Sequence, residues 1–234
     1  MSAHSASQQR GILAALASQL SAYVLEPLEP VVETEPAELE PYPVVAVVST
    51  RPRCGATTVA RMLAAELALR GDGAALVWST GTRGRRRAAV SRAALRLGGA
   101  LTGVAETQPL GRLCLAGGGD VGQLVAAARY LAPVVLDLAP DGSAAAGARR
   151  ADRVVVVAAA TDEPALARAV ALVIGGQPLT VLNRVGDRAA WQGRADVFIP
   201  DSRIAARAAQ LGTRALGALG GAIAELADAV EVPA

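Results

Sequence analysis

The strongest constraint on how this chain folds is a repeated alternation. Short, nearly continuous runs of valine, leucine and alanine, each of strand length, are separated by segments whose apolar residues recur at helical spacing. The runs predict strands at Val44–Val48, Ala74–Trp78, Arg112–Leu115, Val134–Leu138, Arg153–Ala158, Leu179–Leu182 and Val197–Ile199. Helices are expected at Thr57–Arg70, Ala88–Leu97, Val121–Leu131, Glu163–Ile174, Ser202–Gln210 and from about Ala215 to Val230. A strand that is apolar at every position, not at alternate ones, must be covered on both faces. The expected class is therefore α/β: a three-layer arrangement with a mostly parallel sheet and helices on both faces. In such sheets ligands sit at the carboxyl ends of the strands.

The first strand leads into Thr50-Arg51-Pro52-Arg53-Cys54-Gly55-Ala56-Thr57-Thr58 and then a helix. A phosphate-binding P-loop has this strand, loop and helix order with the pattern G-x-x-x-x-G-K-[ST]. Its backbone N–H groups curl around the phosphates, its lysine reaches them and its hydroxyl meets Mg²⁺. Gly55 and Thr57 stand in register, Thr50 takes the first glycine position, and Ala56 takes the lysine position. The chain has no lysine anywhere, its 23 basic residues all being arginine. Charge-assisted hydrogen bonds contribute about 1.5–3 kcal/mol each, so phosphate affinity should fall roughly ten- to more than a hundredfold. Loss of one oriented donor commonly costs about 10²–10³ in rate. The helix N-terminus still offers its dipole to an anion. A plain strand-turn-helix corner is the bland alternative.

Composition narrows the chemistry further. Aromatic residues make up 3% of a chain that is 52% hydrophobic, which leaves few rings for stacking bases. His4 is the only histidine and lies near the terminus, so histidine-based acid–base and triad chemistry is excluded. Cys54 and Cys114 have no metal-ligand or disulfide spacing. Cys54 between Arg53 and Gly55 is either a thiol activated by cationic neighbours or a small residue filling a tight loop. With no signal peptide and no membrane-length apolar run, a cytoplasmic protein is expected.

Residues 1–25 read as an amphipathic helix, with Leu13, Leu16 and Leu20 on one face. Residues 26–43 form an acidic, proline-rich linker with Glu26, Glu29, Glu33, Glu35, Glu38 and Glu40. Six glutamates against Arg10 give residues 1–43 a charge of −5, leaving +7 for residues 44–234 of a chain of net +2. This segment is either an electrostatic latch or a solvated spacer. The run Arg83, Arg85, Arg86, Arg87 is either a surface for nucleic-acid phosphate or a solvated loop without interleaved aromatics.

Read with later segments, the loop resembles the MinD/ParA group of deviant P-loop ATPases over most of Val44–Val230. That family's loop reads K-G-G-x-G-K-[ST]-[ST]; Arg51 replaces its signature lysine, which reaches across a nucleotide-sandwich dimer. Trp78-Ser79-Thr80 matches a D-x-D but has neither aspartate. Val134-Val135-Leu136-Asp137-Leu138-Ala139-Pro140 is similar to the Walker B strand and its turn, and Ala151 to Val157 with Asp162-Glu163-Pro164 to the next strand and helix start. Leu182-Asn183-Arg184 resembles an Asn-Arg pair that reads adenine, and Phe198-Ile199-Pro200-Asp201 the segment closing around the base. The resemblance implies ATP or ADP at Arg51, Arg53, Gly55, Thr57, Thr58, Asp137, Asn183, Arg184 and Pro200, with Mg²⁺ at Thr57 and Asp137 if nucleotide binds; no cofactor at all is the equal alternative.

The expected function is that of a degenerate MinD/ParA-like protein, with no catalytic residues assigned, acting as a positioning or assembly factor through protein contacts. Its N-terminal helix would either dock a protein partner or pack on its own domain, the two standing equal, and a homodimer is an open expectation. The first alternative is an active ATPase in which Arg51 or Arg53 substitutes for the lysine. The second is a partition-like module that binds DNA without sequence preference.

Overall fold

In the computed structural model, residues 40–79, 89–141, 144–185 and 191–231 are described. The chain divides into a unit of residues 1–39 and a compact unit that begins at Glu40. The expected N-terminal helix, most of the acidic linker and the run Arg83 to Arg87 lie outside the described residues. The last linker residues belong to the compact unit: Tyr42 N–H donates to the Arg129 carbonyl and Val134 N–H to that of Pro43.

In chain order the elements are β1 (Val44–Ser49), α1 (Ala56–Arg70), β2 (Ala75–Ser79), α2 (Arg92–Ala100), β3 (Thr107–Leu110), β4 (Leu113–Ala116), α3 (Val121–Ala128), β5 (Val134–Leu138) and α4 (Ala144–Ala148). They continue with β6 (Arg153–Ala159), α5 (Pro164–Ile174), β7 (Leu179–Val185), β8 (Val197–Pro200), α6 (Ala205–Leu211) and α7 (Gly217–Glu231). One eight-stranded sheet has the order β3-β4-β2-β5-β1-β6-β7-β8. All neighbours are parallel except β3 and β4, which pair antiparallel.

Alternation along the strands sorts side chains onto the two faces of the sheet. Val45 and Val47 of β1 join Val135 of β5 and Val77 of β2 under α1 and α7. Val44, Ala46 and Val48 join Val134, Leu136, Leu76 and Trp78 under α2, α3 and α4. Every residue of β1 from Val44 to Val48 is 0% exposed, as a strand covered on both faces requires. The alternation also fixes the site, because Ser79 and Asp137 occupy the phase of Val77 and Val135 and therefore face α1. They are register partners across β2 and β5.

Seven expected strands appear close to their expected limits, and β3 is an addition. It carries Pro109, which is tolerated on an edge strand because its missing N–H breaks no central ladder. Helix α2 starts at Arg92, where the Ser91 hydroxyl accepts from Ala94 N–H and caps it. Helix α3 ends at Ala128, and α4 is a further addition.

Candidate functional site: a phosphate-loop cradle

The loop from Thr50 to Gly55 leaves the carboxyl end of β1, the middle of the sheet, and is held from β6 and β7. Thr50 N–H and its hydroxyl both reach the Val157 carbonyl, at 3.0 and 3.1 Å. The hydroxyl also lies 2.9 Å from Asp162 Oδ2, which accepts Ala159 N–H at 2.8 Å. Cys54, 1% exposed, fills the loop's interior with its thiol toward the Val157 carbonyl. Structure favours the packing role for this cysteine.

Gly55 has φ +95°, and a Cβ there would stand 2.1 Å from Asn183 Nδ2. Glycine is required by conformation and by space together. Asn183, 6% exposed, donates from Nδ2 to the Cys54 carbonyl at 2.9 Å. A register shift between Asn183 and Val185 leaves Arg184 at φ +60°, and Arg184 lines the loop cavity. Such a bulge re-aims side chains. Here it lets successive residues of β7 serve the same loop.

The cavity in front of the loop is about 660 Å³ and is lined by residues 51–58, Ser49, Ser79, Asp137 to Pro140 and Arg184. It therefore brings together Arg51, Arg53, Gly55, Thr57, Thr58, Asp137 and Arg184 of the expected set. Asn183 sits behind the loop, and Pro200, opposite Val185 at the end of β8, is not part of the lining. Helix α1 has no side-chain N-cap among the described residues, so its first-turn N–H groups face the cavity without a capping oxygen. Arg53 and Arg184 against the one carboxylate of Asp137, plus the helix dipole, suit the cavity to an anion.

Arg51 does not extend over the cradle. Its Nε donates to Asp162 Oδ1 and its Nη2 to the Thr161 hydroxyl at 2.7 Å, while the Asp162 side chain is only 2% exposed. Ala56, at the lysine position, is 6% exposed and belongs to the core under α1. Arg53 is exposed at φ +65°, a conformation uncommon outside glycine.

Beneath the loop, Asp137 is 7% exposed. Burial raises its pKa, while hydrogen bonds from the Thr57 and Ser79 hydroxyls and the charge of Arg61 work the other way. Burial in turn lowers the pKa of Arg61, and Asp137 opposes that shift. Trp78, at the first aspartate position of the D-x-D resemblance, points into the opposite core and donates from Nε1 to the Gly118 carbonyl at 3.1 Å. Mg²⁺ takes near-ideal octahedral oxygen coordination, usually from one or two carboxylates with phosphate oxygens. The one carboxylate here accepts hydrogen bonds from two hydroxyls, and no cluster of three acidic, histidine or cysteine groups exists among the described residues. Thr57 and Asp137 stand side by side at the cavity, where they would hold Mg²⁺ together with the phosphate oxygens of a bound ligand.

Three contributors escaped the sequence reading. Asp162 reads as a helix-start residue before Pro164; its burial and its hold on Thr50 and Arg51 emerge only when β6 lies beside β1. Arg61 lies beyond the loop motif, but its position four residues after Thr57 was a usable signal. Ser79 was visible only as the middle of a missing D-x-D.

No family model matches the chain, and no curated protein matches it. Solved structures do. A ParA family ATPase from Chlorobium tepidum TLS is similar with a TM-score of 0.56 at 15% identity, covering 79% of this chain and 98% of that one. A chain of the MinC:MinD cell division protein complex of Aquifex aeolicus gives 0.56 at 14% identity, covering 82% and 98%. A putative plasmid partition protein from Borrelia burgdorferi B31, bound to AMPPNP, gives 0.53 at 10% identity, covering 81% and 98%. The chain has the MinD/ParA-like P-loop fold. Among the described residues, no helix is long and apolar enough to cross a membrane.

Proposed function

We propose that this protein is a pseudo-ATPase on a MinD/ParA-like scaffold: its cradle binds phosphate groups weakly, hydrolysis is lost, and its work is done through protein contacts. One observation carries the reading. The lysine position is a buried alanine, and the arginine best placed to replace it is held by Asp162 and Thr161. A guanidinium fork differs in shape from an ammonium, and here it is engaged elsewhere. The surviving cradle, with Gly55, Thr57 and the uncapped end of α1, supports retained anion affinity.

Protein contact as the mode of action draws support from the MinC:MinD complex among the similar folds. Helix α5 adds to it by leaving Leu172 and Val173 83% and 76% exposed.

The test is calorimetric titration with ATP and ADP, run with a steady-state hydrolysis assay on the unmodified protein and on Ala56→Lys. The expected result is weak binding without turnover, tightened roughly tenfold or more by the added lysine. Steady hydrolysis abolished by Arg51→Ala would overturn the reading in favour of an arginine-assisted ATPase.

A further inference from the structure

We infer that the outward face of α5 is a contact between two copies of this chain, packed as an antiparallel pair of helices about a two-fold axis at Ala169. It rests on the reading that the protein acts through protein contacts, and it names one such contact.

Helix α5 is apolar on every side, with Arg168 as its only charged residue, whereas a helix open to water on one side normally turns a polar face outward. Its inward side is Ala167, Val170 and Ile174, packed with Trp191, Val156 and Leu182 over β6 and β7. Its outward side is Ala165, Leu166, Ala169, Leu172 and Val173, all exposed. Leu172 and Val173 are the two most exposed large apolar side chains among the described residues. A contiguous stripe of this kind marks an interaction site.

The stripe reads the same from either end. Counting outward from Ala169, Leu166 and Leu172 lie three residues to each side, and Ala165 and Val173 lie four. Turned end for end about Ala169, the helix sets Leu166 against the partner's Leu172, Ala165 against the partner's Val173, and Ala169 against its own counterpart. The alanines let the two backbones approach closely, the leucines fill the flanks, and the helix dipoles oppose one another favourably. A lipid surface suits the stripe poorly, because α5 offers no aromatic anchor and a single cation. Each copy contributes about 12 Å of helix, which puts the contact in the weak, transient class below about 1,200 Å² in total. The dimer is therefore a reversible one. No residue of α5 lines the loop cavity, and Arg51, at the position of the family's cross-dimer lysine, is held by Asp162. This pairing needs no nucleotide.

Analytical ultracentrifugation of the full chain from about 1 μM to about 1 mM, with and without ATP and magnesium, is the deciding experiment. Half-dimerisation is expected at roughly tens to hundreds of micromolar, unchanged by ATP and not weakened by salt, since the stripe itself is uncharged. Leu172→Asp should weaken dimerisation roughly tenfold or more. Ala169→Cys should be joined to its counterpart by mild oxidation, while Ala206→Cys on α6 serves as the control; Cys54 and Cys114 are buried and should give no background. A chain that stays monomeric throughout overturns this inference and leaves the protein-contact reading to another partner. So does a dimer that forms only with ATP, or one that ignores Leu172→Asp and is not joined in the Ala169→Cys variant. Flotation of a monomeric chain with phosphatidylglycerol vesicles, lost in Leu172→Asp, would assign the face to lipid instead. ATP hydrolysis by the unmodified protein would overturn the pseudo-ATPase reading and leave the dimer standing. Should Leu172→Asp fail to fold by circular dichroism, Val173→Asp and the crosslink still decide.

Discussion

The two ends of α1 are built on opposite principles. At its C-terminal end, buried Glu66 is flanked by Arg70 at 3.5 Å and Arg214 at 3.0 Å. Arg70 continues to Asp228 and Glu231 at 2.7 and 2.6 Å and to the Ala224 carbonyl at 3.0 Å, tying α1 to α7. At its N-terminal end the amides lack a side-chain cap, two loop residues adopt positive φ, and arginines outnumber carboxylates in the cavity. One end is saturated with partners and the other keeps donors in reserve. Saturation stabilises the fold; a reserve is useful only to something that arrives.

That contrast has measurable limits. The severest challenge is Gly55→Ala. Left-handed strain and the loss of the Asn183 bond to Cys54 should together cost about 3 kcal/mol in urea denaturation and abolish phosphate binding. Asp162→Ala, which strips a buried acceptor from Thr50 and Ala159, should cost about 2 kcal/mol. The same change releases Arg51, so pyrophosphate should bind severalfold more tightly despite the lower stability. Glu66→Ala tests the other end: a loss of about 1–2 kcal/mol is expected, with ligand affinity unchanged. If affinity falls as well, the division of labour along α1 is wrong.

The smallest effect is chemical. Burial raises the Cys114 thiol pKa to about 11, against a hydrogen bond with Thr107 that lowers it. At pH 8 about one thiol in a thousand is ionised, and alkylation should accelerate only as pH climbs toward that value. Mass spectrometry of partially labelled protein should find Cys54 modified first, because the loop end opens before the sheet. Earlier labelling of Cys114 would place the weaker region at the sheet edge.

What the sequence made legible follows from physics, not from length of element. The strands β1 and β5 were readable because burial on both faces removes polar residues, leaving runs such as Val44 to Val48. β3 was not, because Pro109 opposes a strand reading and its four residues are mostly half-buried at an edge. α4 is five residues of alanine and glycine, below the length at which periodicity exists. At the site, Gly55, Thr57 and Asp137 were found because a linear motif places them. Asp162 and Arg61 act through distance partners, Thr50 across 112 residues and Asp137 across a strand and a helix, which no local pattern records.

The central position of β1 has a consequence during synthesis. It is the first described strand made, and its two neighbours are β5 and β6, whose partner residues run from Val134 to Leu138 and from Arg153 to Val157. On the ribosome, the valines of β1 therefore wait for roughly a hundred further residues before either flank is paired, a long exposure for a strand of this hydrophobicity. Chaperone dependence of the nascent chain should lift only once β6 has cleared the exit tunnel.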